Sequence, residues 1–444
     1  MGDLNLKIGI LGGGLAGLVS AYFLLSNGYK DVEILEKENE VGGLLKTEII
    51  EGFTFDAGGS HIIFSKDKDV LNFLLKFAGK VVRHRRNTKI YIKGKFIKYP
   101  FENGLGELDP EDKFFALYEY IKAWMAREKG EADEPRNFKE WIYYWFGKGI
   151  AELYLVPYNQ KIWKYPLEKM GLDWVSGRVP SPPVEDVIKS ALGIPTEGYI
   201  HQLNFYYPER GGIYTIAENI KKSILNMNGR IKVGFEVKKI SFEDGKVIVS
   251  NGSEERIYDY VINTIPLPRI LSIIKEAPEE LKKVKERLVW NALVVVGIGV
   301  KKRKISDFHW VYFPYDGIFH RIAFLSNYSP YMAPEGFSSI IAEITIRKDE
   351  KPNLKRIEER VVEDLASLRI ISEDEVILTK SWYWPYAYVI NHLEYGHDLA
   401  KIREYLLERK IYSVGRWGAW RYLNMDAVVK NVRESLSNAG FIHE

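Results

Sequence analysis

Three glycines near the N-terminus, Gly12, Gly14 and Gly17, have the G-x-G-x-x-G spacing that binds the pyrophosphate of a dinucleotide. The first permits a tight turn, the second lets the pyrophosphate approach the backbone, and the third lets a helix pack on a strand. Glu36 follows about twenty residues later, where a carboxylate accepts hydrogen bonds from a ribose hydroxyl. NAD and FAD fit these residues equally, and a glycine turn in another kind of α/β protein is the alternative.

A second chemical feature is an arginine inside an apolar run. Arg321 lies in "FHRIAFLSNYSPYMAPEG", whose first half has the pattern of a buried strand. An unpaired buried guanidinium is costly, so Arg321 needs an anion, a carboxylate or a route to water. Two interpretations stay open from the residues alone: an anionic ligand, or a salt bridge to a carboxylate on a neighbouring strand such as Glu343.

The glycine motif lies between elements that can position it. A short apolar run predicts a strand over residues 7–11; after the glycines, a helix follows to about Ser26 and "DVEILEK" is a second strand. The stretch "LKIGILGGGLAGLVSAYFLL" is apolar enough to resemble a membrane segment, but its clustered glycines favour strand, turn and helix. We therefore expect a βαβ unit and a soluble protein.

The remaining chain divides by composition. Aromatic residues at helical spacing predict a helical insertion with a mobile loop in "SGRVPSPPVEDVIKSALGIPTEGY", and strand patterns over 290–384 predict an antiparallel sheet. The fold class is thus α/β: a Rossmann-type FAD-binding domain with a helical insertion and an antiparallel substrate sheet. The expected divisions are cofactor domain 1–85, sheet strands 86–100, helical insertion 101–205, cofactor domain 206–268, sheet domain 269–395 and cofactor domain 396–444.

Composition narrows the chemistry further. The 444 residues carry a net charge of +3 without a basic stripe, which argues against nucleic acid as a partner. The absence of cysteine excludes disulfides and thiolate sites, and the eight histidines have no metal-ligand spacing, so we expect no metal. The absence of cysteine also fits a reducing cytoplasm. The 60 aromatic residues (11 Trp, 28 Tyr, 21 Phe) suit both packing and stacking on a planar ligand.

A second glycine-rich region distinguishes between the dinucleotides. "EKENEVGGLLKT" places Gly42, Gly43 and Leu44 soon after Glu36, and "GFTFDAGGSHIIF" follows with Gly59 and Ser60. This pattern resembles the FAD-binding amine oxidases, protoporphyrinogen oxidases and UDP-galactopyranose mutases, and the resemblance implies FAD.

Further stretches resemble one branch of these flavoproteins: "GGSHIIFS", "IKYPFENG", "VPYNQKIW", "WVYFP", "RIAFLSNYSPY" and "GRWGAWRY". They are similar to UDP-galactopyranose mutases of the eukaryotic type, over residues 4–429. The resemblance implies that reduced FAD attacks the anomeric carbon of a UDP-sugar through flavin N5 and expels UDP. The sugar then changes between pyranose and furanose forms without net redox change, and NAD(P)H is a candidate reductant.

The same resemblance implies roles for individual residues. Those expected at the diphosphate and the leaving group are Arg321, Arg178, Tyr388, Tyr422 and Tyr312, and His61 is expected to act in catalysis from the turn beside the flavin ring. Those expected around the uridine are Tyr99, Tyr154, Asn159 and Trp163. Those expected at the flavin are Arg86, Thr88, Gly415, Arg416, Asn424 and Met425, and Val237 is expected to contact the adenine of FAD through its backbone. Each tyrosine or tryptophan has packing in a core as its alternative interpretation.

Two departures from the family pattern affect these roles. Glu102 replaces the family's glutamine after "YPF", and an ionised glutamate cannot donate to a uracil. The turn "GGSH" is one residue longer than the family's "GGH", so the backbone path beside the flavin can differ. An amine or protoporphyrinogen oxidase-like oxidoreductase on the same scaffold, or a flavoprotein without catalysis, remains as an alternative. Neither the sugar nor the oligomeric state follows from the sequence.

Overall fold

The computed structural model describes residues 4–175, 182–196, 203–275 and 277–443. Its strands are β1 (Lys7–Leu11), β2 (Asp31–Leu35), β3 (Thr47–Ile50), β4 (Phe53–Asp56), β5 (Val81–Arg85), β6 (Thr88–Ile92), β7 (Lys95–Lys98), β8 (Asn204–Pro208), β9 (Arg230–Lys232), β10 (Lys239–Glu243), β11 (Lys246–Ser250), β12 (Glu255–Tyr258), β13 (Tyr260–Asn263), β14 (Val289–Val300), β15 (Trp310–Tyr312), β16 (Arg321–Phe324), β17 (Ser338–Arg347), β18 (Val376–Ile390) and β19 (Ile411–Ser413). Its α-helices are α1 (Leu15–Ser26), α2 (Lys68–Ala78), α3 (Pro110–Glu128), α4 (Phe138–Ile150), α5 (Val156–Trp163), α6 (Val184–Ala191), α7 (Tyr214–Asn226), α8 (Leu267–Ile273), α9 (Glu279–Arg287), α10 (Leu354–Ser367), α11 (Tyr395–Glu408), α12 (Gly415–Gly418) and α13 (Met425–Asn438).

A parallel sheet forms the N-terminal part of the fold. Its strand order is β19-β13-β1-β2-β9, and each neighbouring pair runs parallel. The predicted βαβ unit is confirmed, since β1, α1 and β2 have nearly the expected bounds. The apolar N-terminal stretch is thus divided between strand and helix. Within the described ranges, no helix is both long and apolar enough to cross a membrane.

A second, mainly antiparallel sheet has the order β18-β14-β17-β16-β15-β6-β7. The pairing of β15 with β6 is parallel, and the other neighbours are antiparallel. The predicted α/β fold class, with a Rossmann-type unit and an antiparallel sheet, is therefore confirmed. Glycines in the central strand β14 have a packing reason: a Cβ on Gly297 or Gly299 would lie 2.9 Å from the ring of Phe55 or Phe53. The hairpin β3–β4 can thereby lie flat on this sheet.

The helical segment lies between β7 and β8 in sequence. Helices α3 and α4 pack closely because Gly147 and Gly149 carry no side chain: a Cβ at these positions would lie 2.3 Å from Glu119 O and 2.4 Å from Phe115 O. A π-helical turn, Ala151–Leu155, then leads into α5. This arrangement brings the aromatic residues of α5 against the antiparallel sheet.

Candidate active site

The predicted glycine fingerprint forms a tight backbone cradle at the carboxyl end of β1. Gly12 has φ +96°, a conformation that favours glycine. A Cβ on Gly17 would lie 1.9 Å from Gly12 O, so only glycine lets α1 start this close to β1. Gly42 N donates to Gly13 O at 2.8 Å, and this bond joins the second glycine-rich loop to the first. The two loops together line one end of a large cavity.

Glu36 lies where the fingerprint predicts, just after β2. Its carboxylate is buried and accepts from Gly13 N at 2.6 Å and from Glu38 N at 2.9 Å. A carboxylate offers about four lone-pair sites, so two such bonds leave capacity for a ribose hydroxyl. Glu36 therefore fixes the loop and also faces the cavity.

One continuous cavity of about 1420 Å³ extends from the glycine cradle to the antiparallel sheet. The predicted residues that line it are Gly12, Gly14, Glu36, Gly42, Gly43, Leu44, Gly59, Ser60, His61, Arg86, Tyr99, Glu102, Tyr154, Asn159, Trp163, Val237, Tyr312, Arg321, Tyr388, Arg416, Tyr422, Asn424 and Met425. Gly17, Thr88 and Gly415 lie behind this lining. Arg178 lies outside the described residues.

The turn "GGSH" lies between the two sheets. Gly59 has φ +100°, and a Cβ there would lie 3.3 Å from the carboxyl carbon of Glu343. Ser60 N donates to Glu343 Oε1 at 2.9 Å, and the Ser60 hydroxyl lies 2.6 Å from the Tyr328 hydroxyl. Ser60, the residue that lengthens this turn relative to the family, is thus held by hydrogen bonds at both its backbone N–H and its hydroxyl.

His61 ends the same turn. Its Nδ1 lies 2.8 Å from Gly59 O, and because a carbonyl only accepts, Nδ1 carries the proton. Burial lowers the pKa of His61 to about 4, and the nearby Arg416 and Arg321 cations act in the same direction. The imidazole is therefore neutral at pH 7, with Nε2 left as an acceptor.

Arg321 is paired with Glu343, the carboxylate directly opposite it in the β16–β17 register. Arg321 Nε donates to Oε1 at 3.1 Å, and Nη2 donates to Oε1 at 2.7 Å and to Oε2 at 2.6 Å. Although burial acts to lower it, the pKa of Arg321 stays well above its usual value because of the Glu343 charge. The alternative partner considered from the sequence is thus present. The pair does not exclude a ligand, since Arg321 also lines the cavity.

Aromatic side chains surround this arginine on the cavity side. The Tyr388 and Tyr422 rings are 5.4 Å apart and nearly perpendicular, and Trp163 lies 6.0 Å from Tyr388 and 5.5 Å from Tyr422. Burial raises the pKa of Tyr388, so its hydroxyl stays protonated and can donate. The Arg416 guanidinium lies 5.4 Å from the Tyr388 ring and 4.7 Å from the Tyr422 ring.

A second aromatic group lies near β6 and β15. The guanidinium of Arg86 lies 4.7 Å from the Tyr99 ring and 4.6 Å from the Trp310 ring. Trp310 Nε1 donates to the Tyr312 hydroxyl at 3.0 Å, which leaves the Tyr312 O–H free to donate elsewhere. Thr88 accepts from Arg86 Nε at 3.1 Å, so Thr88 orients Arg86 and does not itself face the cavity.

Two polar residues expected near a uridine differ in their surroundings. Asn159 accepts from Trp163 Nε1 at 2.9 Å and donates to Leu155 O at 2.7 Å, so its side-chain amide orients the Trp163 ring. Glu102 is only 4% exposed and lies beside the aromatic residues of this wall. A buried carboxylate there favours a ligand group that donates a hydrogen bond.

The C-terminal segment supplies the remaining cavity wall. Gly415 has φ +76° and a Cβ there would lie 2.3 Å from the Ala16 Cβ, so it lets α12 pack against α1. Arg416 donates to Leu423 O at 2.9 Å and to Ala387 O. Asn424 and Met425 begin α13, and their position at a helix N-terminus provides backbone N–H groups toward the cavity.

Sequence reasoning missed several lining residues. Tyr158 stacks on Tyr154 with centroids 5.4 Å apart, and its i, i+4 spacing from Tyr154 on a helical segment could have indicated a shared face. Trp310 is two residues before Tyr312 on one strand, which places both on the same face. Glu343 is considered from the sequence only as a candidate partner of Arg321, and its contact with Ser60 N is not predicted, because it depends on how the turn meets the sheet.

The expected FAD fits these surroundings. A Cβ at Gly12, Gly42 or Gly59 would crowd Thr264, Tyr214 or Glu343, so the absence of side chains keeps the loops close around the cavity. The cradle also supplies backbone N–H groups at the N-terminus of α1. Glu36 suits a ribose, Val237 lies on the same wall, and the start of α13 suits the polar edge of a flavin ring.

Comparisons with known proteins agree with this assignment. The chain matches the family described as flavin containing amine oxidoreductase over residues 15–417. It is 23% identical to an uncharacterized protein of Methanocaldococcus jannaschii, covering 92% of this chain and 93% of that protein. A 4,4'-diapophytoene desaturase of Staphylococcus aureus is 32% identical but over only 22% of this chain and 17% of its own length.

Solved structures show the same fold. A crystal structure of reduced UDP-galactopyranose mutase superposes with a TM-score of 0.91 and 28% identity, covering 99% of this chain and 95% of that one. A putrescine oxidase bound to putrescine superposes with a TM-score of 0.69 and 14% identity, covering 98% and 99%. The second likeness concerns the fold alone.

Proposed function

Because the chain belongs to the flavin-containing amine oxidoreductase family and uses FAD as its cofactor, we propose that it interconverts the pyranose and furanose forms of a UDP-sugar. The reaction would resemble that of the eukaryotic-type UDP-galactopyranose mutases and involve no net redox change. When bound and reduced, the flavin supplies the nucleophile for the anomeric carbon. The protein must then hold the sugar nucleotide, stabilise the departing diphosphate and exclude water.

The observation that carries this proposal is the orientation of Arg321. Glu343 holds the Nε–Nη2 edge of the guanidinium, which leaves the Nη1 edge for a ligand in the same cavity that contains the FAD cradle. A guanidinium fork matches two phosphate oxygens, whereas lysine would offer only a point charge. A diphosphate at this position would also accept hydrogen bonds from the protonated hydroxyl of Tyr388.

The other side chains complete a sugar-nucleotide site. We assign the cavity wall of Tyr99, Tyr154 and Tyr158 to the nucleobase. Tyr154 is already stacked on Phe101 and on Tyr158, so Tyr99 and Tyr158 would supply the stacking surface. Tyr312 and Tyr422 would donate to the diphosphate. His61, neutral and fixed through Nδ1, would offer Nε2 as an acceptor beside the flavin ring. Arg178 remains a proposed partner of Arg321 at the diphosphate, and Glu102 would accept from a donor on the base.

The decisive experiment is an isomerisation assay. Dithionite-reduced protein is incubated without oxygen with UDP-galactopyranose, and the nucleotides are separated by chromatography. We expect a UDP-galactofuranose peak that is absent with oxidised protein and strongly reduced in Arg321→Ala. The absence of a peak when the absorption spectrum shows reduced flavin would overturn the galactose form of the proposal. UDP-arabinopyranose in parallel would identify a different sugar.

An oxidoreductase is the second candidate, because the family is named for amine oxidation and a putrescine oxidase shares the fold. At the end of the cavity near Tyr388 and Tyr312, the guanidinium groups of Arg86, Arg321 and Arg416 outnumber the carboxylates of Glu102 and Glu343, which favours an anionic ligand over a cationic amine. Anaerobic mixing of the oxidised protein with putrescine tests this alternative: bleaching of the flavin would support oxidation, and an unchanged spectrum would not.

The cellular setting is also part of the proposal. A mutase of this kind needs a source of electrons only to keep its flavin reduced, and we propose NAD(P)H in the cytoplasm as that source. Anaerobic titration with NADH and NADPH, followed at the flavin absorption band, would show which nucleotide reduces the protein. Reduction by neither would remove this part of the proposal.

A further inference from the structure

The C-terminal end of α5 is held by side chains from the antiparallel sheet. The last carbonyls of an α-helix lack partners within the helix. Here Lys161 O accepts from Thr345 Oγ1 at 2.9 Å, Ile162 O accepts from Asn291 Nδ2 at 2.8 Å, and Trp163 O accepts from the same nitrogen at 3.1 Å. Two sheet residues therefore fix the end of the helix that carries the Trp163 ring.

Asn291 also bonds to the adjoining wall of the cavity, which β18 forms. Its Oδ1 accepts from Tyr388 N at 3.2 Å, and its side chain is 1% exposed. The amide thus joins two walls through one planar group: both N–H bonds go to α5 and the carbonyl goes to β18. No other single side chain described above contacts the backbone of both walls.

The strand pairing explains why a side chain is needed here. The register between β14 and β18 shifts just after Asn291: Asn291 pairs with Tyr388 and Leu293 pairs with Trp384. Two extra residues of β18 therefore bulge at this point, and the segment includes Pro385, which has no N–H to donate. The bulge turns this part of β18 toward the cavity, and the Asn291 amide replaces the interrupted ladder.

An amide is specifically suited to this position. Aspartate has the same shape, but its ionised carboxylate only accepts, so it would face the carbonyls of Ile162 and Trp163 without a donor. Leucine would leave all three backbone groups without a partner in a buried site, which is costly. The position of Asn291 therefore requires both a hydrogen-bond donor and an acceptor, and a side chain of the same volume without them would not serve.

We propose that Asn291 is a positioning residue that sets the distance between the Trp163 wall and the Tyr388 wall of the sugar-nucleotide site. The inference rests on the proposed function, because α5 also carries Tyr158, assigned to the nucleobase, and β18 carries Tyr388, assigned to the diphosphate. Asn291 does not line the cavity in the structure, so it acts through the backbone of α5 and β18. Its loss should widen or skew the site while FAD stays bound.

A second asparagine whose amide makes two donor bonds to backbone carbonyls provides the control. Asn327 Nδ2 also donates to two backbone carbonyls, those of Ser306 at 3.0 Å and Phe308 at 2.6 Å, but Asn327 does not line the cavity or contact either wall. Asn291→Asp and Asn327→Asp therefore remove similar donors from different places. Asn291→Ala, which introduces no buried charge, serves if the aspartate variant does not fold.

Two measurements on the FAD-loaded protein test the proposal. Calorimetric titration with UDP should show a Kd raised roughly tenfold in the Asn291 variants, because the loss of one hydrogen bond to the ligand changes the affinity by about this factor. The Kd of Asn327→Asp should equal that of the wild type. Hydrogen exchange should become faster in residues 156–163 in both Asn291 variants. At the amide of Tyr388 it should become faster in Asn291→Ala, which removes the acceptor, and Asn327→Asp should show neither change.

The outcomes separate this inference from the proposed function. Unchanged exchange at both walls, or equal UDP affinity in the Asn291 variants and the wild type, overturns the positioning role. If wild-type protein does not bind UDP, the proposed function fails. The exchange measurement then decides by itself whether Asn291 couples the two walls.

Discussion

Arg321 shows how one side chain can meet both structural and chemical needs. Its Nε–Nη2 edge is neutralised by the buried Glu343, which removes the cost of placing an unpaired cation in a sheet. The pairing with Glu343 also fixes the orientation of the remaining guanidinium edge, that of Nη1. Glu343 also accepts a hydrogen bond from Ser60 N, so the same carboxylate connects the arginine to the turn that precedes His61.

Arg321→Lys should weaken UDP binding although it keeps the charge. Lysine cannot bond Glu343 and a phosphate with two separate edges, and each charged hydrogen bond contributes about 1.5–3 kcal/mol. We therefore expect the Kd for UDP to rise roughly tenfold or more, measured by calorimetry. Arg347→Lys, at an exposed arginine paired with Asp349, is the control and should bind as the wild type. Equal affinity in both variants would remove Arg321 from the site.

His61→Gln should reduce the loss of stability in acid. The pKa of His61 is lowered by burial to about 4 in the folded protein, against about 6.5 when unfolded. The unfolded state therefore binds more protons between these values, and stability falls as pH drops from 6.5 toward 4. His61 accounts for about 2 kcal/mol of that loss between pH 8 and 5.

Urea unfolding at pH 8 and pH 5 measures this effect. The difference between the two free energies of unfolding should be smaller in His61→Gln than in the wild type. His397→Gln, at an exposed histidine, should retain the wild-type difference. If His61→Gln retains it as well, the imidazole is not kept neutral by burial.

At the scale of elements, contacts between loops and helices define the cofactor end of the cavity. Gly12 and Gly17 let α1 begin against β1, and the bond from Gly42 N to Gly13 O joins the two glycine loops. At the other end, the sheet holds α5 through Asn291 and Thr345. The positions of the flavin and of the nucleotide thus depend on a few backbone contacts.

Gly17→Ala should prevent FAD binding. The new Cβ would lie 1.9 Å from Gly12 O, and because that atom is backbone, the helix must move away from the strand. Overpacking of this kind costs roughly 1–3 kcal/mol. The purified variant should have little flavin absorbance and a lower Tm.

Gly396→Ala is the matched control, since its Cβ would meet no atom within 4 Å. It should retain both flavin and Tm. Full flavin content in Gly17→Ala would show that the cradle does not need this close contact.

At the scale of the whole molecule, the cavity joins parts of the chain that are distant in sequence. Its lining includes Gly12 from the N-terminal loop, Tyr154 from the helical segment, Arg321 from the antiparallel sheet and Val428 from the last helix. A ligand that contacts all of these should stabilise the fold as one unit. The division of the chain into six domain segments remains a prediction.

FAD in the glycine cradle would also contact the turn at His61, which Ser60 N joins to Glu343 of the antiparallel sheet, so FAD should raise the stability of both sheets together. At a free FAD concentration about one hundred times its Kd, the expected gain is about 2.7 kcal/mol. Scanning calorimetry of the apo- and holoprotein should show one transition that moves to higher temperature as a whole. Two transitions, of which only one moves, would show that the sheets are not coupled through the cofactor.

The sequence by itself determined the βαβ unit, the glycine cradle with Glu36, and the fold class, because these follow from local periodicity and from backbone conformations that only glycine adopts readily. It also indicated that Arg321 needs a partner. Only the tertiary structure decided that Glu343 is that partner, that Thr88 lies behind Arg86, and that Asn291 joins α5 to β18. The physical reason is that such contacts depend on strand register and on a bulge, which bring together residues separated by tens or hundreds of positions.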